Sequence, residues 1–168
     1  MSCVNCQSLR IKLVDGALSR CRLGEQLDMS DEHTPFALVV DDDALIRMDA
    51  TDILEDAGFR VLEAANPEEA IVLLEQRGES IQLLFTDVQM PPSNLDGFYL
   101  ARKCAAGWPD VGIIVASGML EPQADDLPPG AVFVRKPFSA DVVYDHLQRL
   151  LPDGKKPEPL KQRAAASS

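Results

Sequence analysis

Five polar residues, each standing just after an apolar run, carry the chemistry that this sequence can perform. Asp41 and Asp42 follow Ala37-Leu38-Val39-Val40, and Asp87 ends the run Leu83-Leu84-Phe85-Thr86. Ser117 follows Val111 to Ala116, and Lys136 stands one residue beyond Ala131-Val132-Phe133-Val134. Three carboxylates brought together repel one another, and their ionisation is disfavoured without a counter-charge. A hard divalent cation (Mg²⁺, or Mn²⁺ in its place) answers that need with an octahedral shell of carboxylate, carbonyl and water oxygens. Lys136 adds a point charge with three donors, and Ser117 a hydroxyl. Such a set around one central Asp suits phosphoryl transfer to that Asp, because the transferring group spreads charge over three oxygens. Carboxylates serve as nucleophiles toward phosphorus and give an acyl phosphate. Asp87, at the end of the most apolar run, is the residue expected to accept the group.

What positions these residues follows from periodicity. Short apolar runs bounded by breakers are expected to form strands buried on both faces, at Ala37–Val40, Ile81–Thr86, Val111–Ala116 and Ala131–Val134, with Phe59–Ala64 as a further strand. Between them the period changes. Leu45, Met48, Ile53, Leu54 and Ala57 recur at helical spacing before Gly58. Asn66-Pro67-Glu68-Glu69 is a helix start with a capping side chain, proline at the first position and acids in the first turn. A third helix is expected from Phe98 to Ala106. A last one follows Ser139, with Val142, Val143, Leu147, Leu150 and Leu151 on its apolar face. Five buried strands alternating with helices imply an α/β fold, a doubly wound parallel sheet of flavodoxin-like order 2-1-3-4-5. The strand ends then deliver Asp41, Asp42, Asp87, Ser117 and Lys136 to one edge. The segment Met119–Gly130 holds three prolines, so the fourth helix of such a fold is reduced to a turn or two.

The ordered set Val39-Val40-Asp41-Asp42-Asp43, Thr86-Asp87-Val88-Gln89-Met90-Pro91, Asp96-Gly97, Ala116-Ser117-Gly118 and Val134-Arg135-Lys136-Pro137-Phe138 resembles the receiver domain of two-component response regulators. The resemblance runs from about Pro35 to Leu151. It implies that Asp87 is phosphorylated by a histidine kinase or a phosphotransfer protein. It implies that Asp42, Asp87 and the carbonyl of Gln89 hold Mg²⁺, with Asp41 reaching it through water. Ser117, Lys136 and the N–H groups of Val88 and Gly118 would bind the phosphoryl group, and Phe133 would be a switch aromatic responding to Ser117. Two departures stand out. Four residues, Pro92-Ser93-Asn94-Leu95, separate Met-Pro from Asp-Gly where the family commonly has two. The reduced fourth helix belongs to the family's usual dimerisation face, so a monomer is expected.

Composition narrows the alternatives. A net charge of −11 and a pI near 4.5 argue against a nucleic-acid surface. No apolar run approaches the ~20 residues that cross a bilayer, and no basic-then-apolar leader opens the chain, so a cytoplasmic protein is expected. Cys3, Cys6, Cys21 and Cys104 do not make a disulfide scaffold in 168 residues. Cys3 and Cys6, with Cys21 and His33, are zinc ligands in type, but only the first pair has metal-like spacing. Residues 1–33 are expected as a poorly ordered extension, 34–151 as the folded domain and 152–168 as a disordered tail. With no effector segment in that tail, the expected output is a stand-alone receiver, a phosphorylation-dependent protein contact with an unknown downstream partner, or a phosphate shuttle or sink. Two other readings use the same residues. A haloacid-dehalogenase-type phosphohydrolase would use Asp41 and Asp43, but it needs an acidic pair after the lysine, whereas Asp125-Asp126 precede Lys136. A non-phosphorylated interaction module on this fold would have lost an acid or the lysine, and neither is lost. No independent turnover of a substrate is expected.

Overall fold

The computed structural model describes residues 34–123 and 125–166. The expectations for residues 1–33, including the cysteines at 3, 6 and 21 and His33, lie outside them.

Five parallel strands form one sheet in the order β2-β1-β3-β4-β5. They are β1 (Phe36–Val40), β2 (Arg60–Ala64), β3 (Ile81–Asp87), β4 (Gly112–Ser117) and β5 (Val132–Arg135). The helices between and after them are α1 (Ala44–Asp56), α2 (Pro67–Arg77), α3 (Gly97–Gly107) and α4 (Ala140–Leu150), with α5 (Glu158–Ala166) closing the chain. Each crossover helix starts on a side chain suited to the task. Asp43, Asn66, Asp96 and Ser139 accept from the first-turn amides of α1, α2, α3 and α4. Such caps satisfy donors that would otherwise be orphaned.

Because side chains alternate along a strand, the sheet sorts its apolar residues into two layers. Ala37, Val39, Leu83, Phe85, Ile114 and Val134 meet Ile53 and Leu54 of α1 and Val143 and Leu147 of α4. Leu38, Val40, Leu84, Ile113 and Val115 meet Ala70 and Leu74 of α2 and Leu100, Ala101 and Cys104 of α3. Both faces are covered, which is why the strands are near-continuous apolar runs. Leu45, Met48 and Val142, expected on the apolar faces of α1 and α4, stand exposed instead.

Among the described residues, no helix joins β4 to β5, as the prolines require. That segment is instead tied down by hydrogen bonds. Arg102 donates to the Asp126 carbonyl, and Gln123 N–H to the Asp126 carboxylate.

The C-terminal segment corrects the expectation of a disordered tail. After a 3₁₀ turn at Asp153–Lys155, α5 docks on α4 with Leu160 fully buried. Gln148 donates to the Leu160 carbonyl, and the Arg163 guanidinium lies 4.3 Å from the centre of the Tyr144 ring. Gly58 takes a positive φ of 97°, and a Cβ there would stand 2.7 Å from Pro159 and 2.8 Å from Pro157. The glycine that ends α1 therefore also seats the C-terminal segment. No helix among the described residues is long and apolar enough to cross a membrane.

Candidate functional site

The carboxyl ends of β1, β3, β4 and β5 bring the expected residues together. Asp41 and Asp42 follow β1, Asp87 closes β3, Ser117 closes β4, and Lys136 follows β5. Lys136 Nζ lies 2.6 Å from Asp41 Oδ2 and 3.0 Å from Asp87 Oδ1, so one ammonium bridges two carboxylates from different strands. Carboxylate oxygens of Asp41, Asp42 and Asp87 all lie within 4.8 Å of one another. Asp41 and Asp87 are buried and Asp42 is exposed at the mouth.

Two negative charges held by one positive charge leave the edge short of cation. Burial pushes the Asp87 carboxyl above the ordinary carboxylate range, against the pull of Lys136, and the Asp41 charge adds to the rise. Burial alone would lower the Lys136 ammonium, but the hydrogen bonds and charges of Asp41 and Asp87 outweigh it and hold it above the usual lysine value. All-oxygen donors and residual negative charge fit a hard divalent cation.

The backbone around Asp87 is fixed by close contact. Gly97 N–H donates to the Val88 carbonyl, and a Cβ on Gly97 would stand 1.9 Å from the Asp87 carbonyl oxygen. This explains the Asp96-Gly97 pair physically: the aspartate caps α3 while the glycine lets the helix start lie on the Asp87 backbone. Thr86 Oγ1 donates to the same Asp87 carbonyl from a fully buried position.

Other expected residues are placed as follows. Ser117 Oγ accepts from the N–H groups of Met119 (3.4 Å) and Leu120 (3.1 Å), bonds that use its lone pairs and leave its O–H to donate. Val88 N–H, expected to face a phosphoryl oxygen, donates to the Ala116 carbonyl at 3.1 Å. Phe133 is half-buried on β5, paired in register with Val115 of β4. Gln89 lines a cleft of about 690 Å³ with Asp42, Ser93, Asn94, Asp96 and Leu120, opening beside the acid cluster. The lengthened loop is pinned where Ser93 Oγ donates to Glu68 of α2. Asp43, the second acid of the phosphohydrolase reading, is spent as the α1 cap.

Comparison with known proteins decides the family. The family profile described as response regulator receiver domain matches residues 37–148. The chain belongs to that family. The sensor kinase CckA of Brucella abortus (strain 2308) is 36% identical to this receiver domain in an alignment of 127 residues that covers 74% of this chain and 13% of that protein. The chain thus spans a small part of that curated relative's length. Among solved structures, a response regulator receiver protein from Sinorhizobium medicae WSM419 is 27% identical with a TM-score of 0.66, over 71% of this chain and 95% of that one. The CheX-CheY-BeF3-Mg+2 complex from Borrelia burgdorferi is 25% identical with a TM-score of 0.63, over 72% and 92%. The family is a signalling module of two-component phosphorelay systems, and the flavodoxin-like order expected from the sequence is the order found.

Sequence reasoning passed over Thr86, which only shows its role through the Asp87 carbonyl, and Arg47. Arg47 donates through Nη1 to the Asp41 carbonyl at 2.6 Å and through Nε to Glu63 at 3.0 Å. An arginine one turn into an amphipathic helix carries no signal that it reaches back to a strand end.

Proposed function

We propose that Asp87 accepts a phosphoryl group from a phosphohistidine of a histidine kinase or phosphotransfer protein. The observation that carries this is the Lys136 ammonium set between Asp41 and Asp87 beside a third carboxylate. An Asp87 carboxylate oxygen attacks phosphorus, the P–N bond to the donor imidazole breaks, and the ring nitrogen keeps the electron pair. Lys136 meets the charge on the transferring group, and the Ser117 hydroxyl and Gly118 N–H supply donors. Asp42, Asp87 and the Gln89 carbonyl, with Asp41 acting through water, would hold Mg²⁺ or Mn²⁺, and the ion would supply the neutralising charge. A solved relative described with BeF3 and Mg+2 supports this reading of the donor set.

Turning Ser117 toward the phosphoryl group gives up its bonds to Met119 and Leu120 and frees the start of the β4–β5 segment. Phe133, half-buried on the neighbouring strand, then turns inward. The output is a protein contact or onward phosphate transfer by a cytoplasmic monomer, with no nucleic-acid contact, in keeping with the charge of −11.

Acetyl phosphate with Mg²⁺ should add one acid-labile phosphate per chain, lost in Asp87→Asn and without the cation, in a species that sediments as a monomer. An unmodified mass in wild type contradicts the proposal.

A further inference from the structure

We propose that Arg47 is the positioning residue that orients the peptide joining Asp41 to Asp42 and so sets the site's affinity for a divalent cation. This rests on the reading of the site as cation-dependent.

The geometry starts from helix direction. Side chains on an α-helix lean toward its N-terminus, so a long residue one turn into α1 reaches back over the β1–α1 junction. Arg47 N–H bonds the Asp43 carbonyl as the first helical bond, while its guanidinium turns back and donates to the Asp41 carbonyl at 2.6 Å. That carbonyl belongs to the peptide between the two acids. Asp41 is buried against Lys136, whereas Asp42 is exposed at the mouth; the plane of the peptide joining them decides where the second carboxylate stands relative to the first. Two further bonds hold the same junction. Asp43 N–H donates to Asp41 Oδ1 at 2.9 Å, and Asp41 N–H to the Ala64 carbonyl at 3.2 Å.

Cost and compensation point the same way. A cation in the first turn of a helix opposes the helix dipole, and beside a cation site it repels the ion. Neither favours an arginine here. Glu63 on β2, half-exposed, pairs with Nε of the largely buried guanidinium and offsets both effects. The planar fork then spans the ends of two strands, as a lysine's single point of charge does not.

Mn²⁺ binding followed by electron paramagnetic resonance, and Mg²⁺ titration followed by amide shifts of Asp42, read the proposal without any phosphotransfer. Arg47→Gln should weaken both affinities about tenfold, the lower end of what outer contacts to metal ligands contribute. Arg47→Lys, which keeps the charge but puts its donors on a single nitrogen, should recover part of the loss, and Glu63→Gln should cost less than Arg47→Gln. Amide spectra establish that each variant is folded before titration. Unchanged affinity in folded Arg47→Gln overturns the proposal, and tighter binding shows that the charge alone acts and overturns it as well. A wild-type protein that binds neither ion sinks the cation-dependent reading itself, and this inference with it.

Discussion

The two edges of the sheet are built on opposite terms. Where the strands end, three carboxylates crowd together, two of them share one lysine ammonium, and Asp87 is buried without enough positive charge to ionise easily. Where the strands begin, the C-terminal segment fits prolines against Gly58 and sinks Leu160 into the core. One edge is stable through packing; the other keeps an electrostatic debt that a cation or a phosphoryl group can settle. The proposed function sits on the edge that folding leaves unfinished.

That contrast can be broken from either side. The largest effect should come from Lys136→Met, which leaves Asp41 and Asp87 buried with no counter-ion. Removing one partner of a buried pair costs about 3–5 kcal/mol, read by urea denaturation. Because Lys136 is held above the usual lysine value, its contribution is present below about pH 10.4 and lost as pH rises through the higher folded value. Wild type should therefore lose that stability at high pH while the variant does not. Leu160→Ala tests the opposite edge. A fully buried leucine costs about 2–5 kcal/mol on truncation, yet Asp87 should still be phosphorylated at the wild-type rate. A rate that falls along with stability would show the two edges to be coupled.

The smallest effect has the opposite sign. Burial raises the Asp87 carboxyl, so the folded protein holds that proton more tightly than the unfolded chain. Stability is then lost as pH rises from about 3.9, the unfolded value, through the folded one. Without divalent cation, Asp87→Asn should melt above wild type at pH 7, and the gap should close below pH 4. An Asn variant that melts lower at neutral pH would contradict the debt.

How far the sequence revealed this depended on the kind of signal. The strands, their order and the residues at their ends were legible because buried runs and breakers are local patterns, and Asp41, Asp42, Asp87 and Lys136 do converge. The docked α5 was not, because Leu160 lies in a polar, proline-bearing segment whose partner, Gly58, is a hundred residues away and already explained as a helix stop. Leu45 and Met48 fit the helical period but stand exposed, since periodicity gives a face and not its cover.

The most direct test is to trap the acyl phosphate by borohydride reduction after reaction with acetyl phosphate and Mg²⁺, then map peptides by mass. Conversion to homoserine at residue 87 alone is the expected result. Conversion at Asp41, or at no aspartate while the protein is folded, would contradict Asp87 as the phosphoryl acceptor.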